Sequence, residues 1–213
     1  MSEKINEHSY NVYPFWYDIR GFFILSFSYR NTLFRQMKFF AENFKGKHLE
    51  CAIGTATLTM FCMIYKKFFG SNDSYQMVGV DYSEALLKGA KRKLRKSEVL
   101  KEDLRQMSFA DETFDSANFP NGYHTLEGAD IAMKEIVRVL KKDGTLYVNI
   151  LLYPKSKLLD GISRSINKYG MHTGILKRPY TIEECRQMPE KFGLSIIDEK
   201  IHQNCVYLKL KKL

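Results

Sequence analysis

Between residues 46 and 153 short apolar runs alternate with amphipathic stretches, which restricts the chain to a parallel sheet covered by helices on both faces. Carboxylates stand at the ends of three successive predicted strands. They are Glu50 in His48-Leu-Glu-Cys-Ala-Ile-Gly-Thr-Ala56, Asp81 in Val78-Gly-Val-Asp-Tyr-Ser83, and Asp103 in Lys101-Glu-Asp-Leu104. In an open parallel sheet, ligands sit outside the carboxyl ends of the strands, so acids there reach a ribose, a purine edge and a charged tail together. The three outline a nucleotide-shaped site.

The remaining elements follow from spacing. Leu58, Phe61, Cys62 and Tyr65 fall at i, i+3, i+4 and i+7 and make one apolar helix face. Residues 76–80 form a short apolar strand ending at Asp81, and Ser83 suits the N-cap of the Lys-rich helix that follows. Residues 115–119 are a strand. Met133, Ile136, Val137 and Leu140 repeat the helical spacing, with Lys141, Lys142 and Gly144 expected to close that helix. Residues 145–152 are an apolar strand fit for a sheet interior. Residues 155–179 break the pattern with Gly161, Gly170, Gly174 and Pro179, so an insertion over the site is expected there. Thr181 and Glu184 spell a capping box for a last helix that Gly193 can end. Residues 194–201 and 205–210 are two closely spaced strands, most simply an antiparallel hairpin. The expected fold is α/β: a doubly wound, mostly parallel Rossmann-like sheet with a C-terminal antiparallel hairpin strand in a domain of residues 45–213. An aromatic helical lid, residues 1–44, precedes it.

A length of 213 residues with 45% hydrophobic content suits one domain, with or without a lid. The formal charge of +9 raises the question of an anionic partner. The excess is spread along the chain, however, and the densest run, Lys88 to Lys96, alternates with Leu87, Ala90 and Leu94 at helical spacing. That is a solvated helix face, which argues against nucleic acid. Cys51, Cys62, Cys185 and Cys205 form no CxxC pair and have no His at ligand spacing, so neither a disulfide framework nor a metal site is expected. Reduced cysteines fit the cytoplasm. The apolar stretch from Gly21 to Tyr29, bounded by Arg20 and Arg30, is too short to span a bilayer. It reads as a buried or lipid-touching helix segment and leaves peripheral membrane contact open. Nothing in the pattern selects an oligomeric state.

The order of these motifs, continued by Met107-Ser-Phe-Ala-Asp-Glu-Thr-Phe-Asp115 and Glu135-Ile-Val-Arg-Val-Leu-Lys-Lys-Asp-Gly144, resembles the class I S-adenosylmethionine-dependent methyltransferases. Within them it is similar to the small-molecule branch that includes the ubiquinone/menaquinone C-methyltransferases, over roughly residues 46–153. The resemblance implies S-adenosylmethionine as cofactor, with S-adenosylhomocysteine as product. It further implies Glu50 at the methionyl end, Asp81 on the ribose hydroxyls and Asp103 at the adenine edge. Ala52, Gly54, Tyr82, Leu104 and Phe119 complete the implied cofactor set, and Met107 packs on the purine. Where the family often reads Gly-x-Gly-x-Gly, this chain has Ala52, Gly54 and Ala56; alanine at the first place also occurs in the quinone branch, and Ala56 is less usual.

In this fold the transferable methyl points toward the loop after the fourth strand, here Asn118-Phe-Pro-Asn-Gly-Tyr-His124. His124 is therefore the candidate general base, with Tyr123 an orienting hydroxyl. The N-terminal aromatics, Tyr10, Tyr13, Phe15, Trp16, Tyr17, Phe22, Phe23, Phe27 and Tyr29, are expected to line a hydrophobic pocket for a small, aromatic or partly apolar acceptor. The alternatives are an RNA methyltransferase, and a protein of this fold that binds the cofactor without methylating. A nicotinamide-dependent dehydrogenase would share the acid after the second strand but require G-x-G-x-x-G in the first loop, which is absent.

Overall fold

A computed structural model describes residues 13–155 and 160–213. Expectations for residues 1–12, Tyr10 among them, and for residues 156–159 lie outside the described residues. Seven strands form one sheet in the order β3-β2-β1-β4-β5-β7-β6. They are β1 (Gly46–Cys51), β2 (Tyr75–Asp81), β3 (Glu98–Lys101), β4 (Phe114–Phe119), β5 (Leu140–Leu151), β6 (Leu194–His202) and β7 (Cys205–Lys212). The first five pair in parallel, while β7 pairs antiparallel with both β5 and β6. The chain runs outward from β1 to β3 and then returns to β4 on the other side of β1. The switch point thus lies between β1 and β4, where an open sheet leaves a crevice.

Helices α1 (Pro14–Phe23), α2 (Leu33–Ala41), α3 (Thr57–Phe69), α4 (Glu84–Lys93), α5 (Ala129–Val139), α6 (Gly161–His172) and α7 (Ile182–Gln187) cover the sheet. The core divides into two clusters. In one, Met133 and Ile136 of α5 pack with Leu49, Val78, Val80 and Ala117 of the strands. In the other, Phe40 of α2, Cys62 of α3 and Leu87 and Ala90 of α4 pack with Phe44, Met77 and Tyr207. Each large side chain removed from water contributes about 1.5–3 kcal/mol. The expected caps form: Ser83 accepts from Leu86 N at 3.3 Å, and Thr181 and Glu184 complete a reciprocal box at the start of α7. Lys88, Lys91 and Arg92 of α4 are exposed, as a solvated face requires.

Two elements differ from expectation. Helix α5 ends at Val139, not at Lys142, because Leu140 already pairs with Phe114 in the sheet. Residues 141–144 then bulge out, with Asp143 at φ +63°, before pairing resumes at Ser116 and Thr145. The segment 1–44 is also not uniform in role. Its described part up to Ser28 covers the cavity described below, whereas α2 and the residues after it are built into the core.

Asn43 shows why. Its amide donates to Ala117 O at 2.7 Å and Asn118 Oδ1 at 3.2 Å, and its carbonyl accepts from Thr145 Oγ1 at 2.6 Å, all within the buried interior. These bonds tie the end of α2 to β4 and β5. Removing a buried partner leaves the others unsatisfied at about 1–3 kcal/mol each. Asn43→Ala is expected to lower the unfolding free energy by roughly 2–3 kcal/mol, read from the urea midpoint at unchanged slope. A loss under about 0.5 kcal/mol would show that residues 33–44 are peripheral.

Candidate active site

A cavity of about 670 Å³ opens over the carboxyl ends of β1 and β2 and the loops after β3 and β4, next to the switch point. Ala52, Ile53 and Thr55 of the first loop, Asp81 and Tyr82 after β2, and Asp103 and Leu104 after β3 supply one side. Helix α1 and the π-helical turn Ile24–Ser28 cover it with Tyr17, Asp18, Phe22, Ile24 and Leu25. Tyr29, Gln36, Asn121, Thr125 and Lys177 close the remaining side. Lys177, Gly174 and Ile175 bring part of the 155–179 segment to the cavity wall.

The first loop keeps a glycine-type backbone with one glycine. Ala52, Gly54 and Ala56 have φ of +52°, +56° and +61°. For alanine this left-handed conformation is disfavoured by about 1–2 kcal/mol, through Cβ contact with the following carbonyl. Ala56 serves as N-cap of α3 with no side-chain hydrogen bond, and its methyl is fully buried. A Cβ on Gly54 would come within 3.3 Å of the Tyr17 ring, so α1 rests directly on this glycine.

Asp81, the last residue of β2, braces the loop from the other side. Its Oδ2 accepts from Gly54 N and its Oδ1 from Ser83 N, both at 2.8 Å. Burial raises its pKa above the ordinary carboxylate value against the pull of these N–H groups. Asp103 is paired with a residue the motifs did not indicate. The Arg105 guanidinium donates to Oδ1 at 3.0 Å and to Oδ2 at 2.7 Å, and Arg105 N to Oδ1 at 2.9 Å. Desolvation works to raise the Asp103 pKa, but the bonds from Arg105 together bring it below the ordinary value. Asp103 is thus an ionised, oriented acceptor at the cavity wall.

Five of the expected site residues do not line the cavity, and Met107 is buried in the core as well. Glu50 is 2% exposed. Its oxygens take His48 Nε2 at 2.9 Å, Asn118 Nδ2 at 2.5 Å and Thr59 Oγ1 at 3.0 Å, so its carboxylate is engaged beneath the loop. Gly54 lies under Tyr17. Phe119 is fully buried, its ring packed against Gly122. Tyr123 donates to Asp130 Oδ1 at 2.6 Å in the core, and burial followed by that bond raises its pKa.

His124 is 1% exposed, and desolvation pushes its pKa down to about 3, so it is neutral. Leu151 N donates to its Nδ1 at 3.3 Å, which leaves the ring proton on Nε2, donated to the Tyr29 hydroxyl. Neither imidazole nitrogen is placed to take a proton from a ligand in the cavity.

Sequence reasoning passed over Asp18 and the role of Tyr29. Asp18 accepts from Thr55 Oγ1, from Thr57 Oγ1 at 2.9 Å and from Lys93 Nζ at 3.0 Å, fastening α1 to the first loop and to α4. Tyr29 is 4% exposed, lines the cavity and reaches His124 from there. No local pattern marks these pairs, because they join residues 37 and 95 positions apart.

Residues 49–148 match the family model of a methyltransferase domain. Over these residues, just under half of its length, the chain is similar to a methyltransferase domain. It is 30% identical over 122 residues to a demethylmenaquinone methyltransferase of Lactobacillus johnsonii, an alignment covering 54% of this chain and 47% of that protein. A demethylmenaquinone methyltransferase of Thermotoga maritima is 29% identical over 86 residues, 40% of this chain and 38% of the other. The matches thus span less than half the length of these relatives. Among solved structures, an S-adenosylmethionine-dependent methyltransferase of Thermotoga maritima superposes with a TM-score of 0.71 at 19% identity, over 97% of this chain and 99% of that one. Family and fold together imply S-adenosylmethionine as the cofactor. The donor set here suits that molecule: two strand-end carboxylates, a loop of left-handed residues beside them, and a cavity within the usual size of a cofactor site.

The loop generates a stability test. At half-buried Ala52, glycine would relieve left-handed strain but add unfolded-state entropy, for a net gain of about 0.5–1 kcal/mol. At Ala56 the loss of a buried methyl, worth about 0.8 kcal/mol, cancels most of that gain. Denaturant unfolding is expected to show Ala52→Gly stabilised and Ala56→Gly nearly unchanged. Destabilisation of Ala52→Gly would mean that the strain is not there.

Proposed function

We propose that this protein transfers the methyl group of S-adenosylmethionine to a small acceptor with an aromatic or partly apolar body. The observation that carries this reading is a cavity bounded by Asp81 and the left-handed first loop on one side and by Phe22, Ile24 and Leu25 on the other. The cofactor supplies an activated methyl on a sulfonium, so catalysis rests on alignment rather than on acid–base chemistry. In this reading the Asp81 carboxylate receives the ribose hydroxyls. Asp103, held in place by Arg105, receives the exocyclic amine of the adenine, with Tyr82 and Leu104 beside the ring. The methionyl end meets Ala52 and Thr55, where the carboxylate on the cavity is Asp18 rather than Glu50. Tyr29 presents its hydroxyl to a polar group on the acceptor, and His124 positions that hydroxyl from behind.

Ribose hydroxyls bond best to a charged carboxylate, so binding favours ionised Asp81. Because its pKa is raised in the free protein, cofactor affinity is expected to fall as pH falls through that raised value, sooner than for an ordinary aspartate. Asp81→Asn should lose this dependence and bind about tenfold to a hundredfold more weakly, a cost of about 1.5–3 kcal/mol. Calorimetry across acid pH reads both effects. Wild-type affinity in the folded variant would remove Asp81 from the ribose.

Transfer of labelled methyl to small-molecule extracts but not to RNA is the expected outcome of an acceptor screen. Labelled RNA would move the reading to nucleic acid, and cofactor binding with no transfer would favour a non-methylating scaffold. With an acceptor in hand, Tyr29→Phe is expected to lower kcat about tenfold at unchanged cofactor affinity, the worth of one oriented hydrogen bond. The rate should show no inflection near pH 6.5, since His124 stays neutral down to about 3. An inflection near 6.5 that His124→Gln abolishes would instead make the imidazole the base.

A further inference from the structure

Helix α1 and the π-helical turn that continues it have two unlike sides. Tyr17, Asp18 and Leu25 line the cavity, and Ser28 is buried against α6. The other side carries Phe15, Trp16, Phe23 and Phe27, which are 59%, 61%, 55% and 44% exposed. These rings cluster, with Phe15 against Trp16 at 5.6 Å and Phe23 stacked on Phe27 at 6.0 Å between centroids. A helix lying on a water-facing surface turns polar side chains outward. This one turns aromatics outward.

The patch continues onto α6, where Ile162 and Tyr169 are also largely exposed. Ser163 Oγ donates to Phe27 O at 2.7 Å and Ser28 Oγ to Asn167 Oδ1 at 2.5 Å, so the two helices form one surface. Among the described residues its charge has one sign. Between residues 13 and 30 the only acid is Asp18, which bonds to Thr55, Thr57 and Lys93. Helix α6 contains no acid, and Asp160 before it is 2% exposed and paired with Arg30. Arg164 and Lys168 are exposed beside the rings. Apolar rings flanked by cations complement an anionic lipid surface, whereas a second copy would set the same cations against each other.

The geometry points to the outer face of α1, the π-helical turn and α6 as a docking surface for an anionic bilayer. The rings enter the boundary between headgroups and acyl chains, and the cations meet the lipid phosphates. Docking in this way holds the cavity against the membrane, because α1 and the turn form its cover. The docking claim stands on the helices alone; only delivery of an apolar acceptor from the bilayer rests on the methyl-transfer reading.

Trp16 is the single tryptophan of the chain and sits on this face, so it reports directly. With the full chain and no cofactor, vesicles of mixed phosphatidylglycerol and phosphatidylcholine should shift its emission to the blue, and brominated lipid should quench it. Cosedimentation should be at least tenfold stronger than with phosphatidylcholine alone. Phe15→Ser/Phe23→Ser, at positions off the cavity wall, should weaken vesicle binding at least tenfold while cofactor affinity stays within twofold. Lys168→Glu should reduce the preference for anionic lipid. The proposal fails if no vesicle shifts the emission, or if the double variant, folded by circular dichroism, binds like wild type. It also fails if the shift appears without lipid and grows with protein concentration, which would place a second copy on this face. Finally, it fails if Trp16 is shielded without lipid until residues 1–12 are removed, which would make that segment the cover.

Discussion

The site is organised by a carboxylate that never reaches it. Glu50 is held inside the fold by donors from three elements: His48 on β1, Asn118 on β4 and Thr59 on α3. A carboxylate taken out of water is tolerated only when such partners satisfy it, since the desolvation penalty is several kcal/mol. Satisfying it fixes the two strands that flank the switch point and the first turn of the helix that follows the first loop. Asn118 also donates to Phe40 O at 3.2 Å, which brings α2 to the same point. The left-handed loop, the Asp81 carboxylate that braces it and helix α1 resting on Gly54 are all positioned by this buried junction.

The alternation of strands and helices and the two outward-reaching acids were legible because they follow from local pattern. Position relative to the strand end separates them from Glu50. Asp81 is the last residue of β2 and Asp103 lies two residues beyond β3, so both side chains leave the sheet at its edge. Glu50 is still inside the ladder, opposite Gly79 and Asn118, and its side chain points to a face of the sheet with His48, two residues earlier. An acid one residue before the end of a strand looks the same in sequence as one at its end.

The acceptor side was less legible for a different reason. The loop after β4 tightens into a turn, with Leu126 N donating to Gly122 O at 2.9 Å, and this carries His124 inward against Leu151. Nothing in Asn-Gly-Tyr-His specifies that direction; the neighbouring strand β5 and a tyrosine from the N-terminal segment do. The aromatic N-terminal stretch likewise looked uniform in sequence. In three dimensions its aromatics divide between cavity, core and outer surface. Tyr17 and Tyr29 face the cavity, Phe39 and Phe40 enter the core, and Phe15 and Phe23 face outward.

The alanines of the first loop have a consequence for ligand capture. A loop with glycine at all three left-handed positions samples many backbone states, and a ligand that orders it must offset that lost freedom. With Ala52 and Ala56 in two of the three places, most of those states are sterically closed before any ligand arrives. The ordering entropy has been met during folding, at the expense of local strain. Binding against this loop is therefore preorganised: the strain lowers the stability of the fold, and the ligand meets a smaller entropic penalty on association.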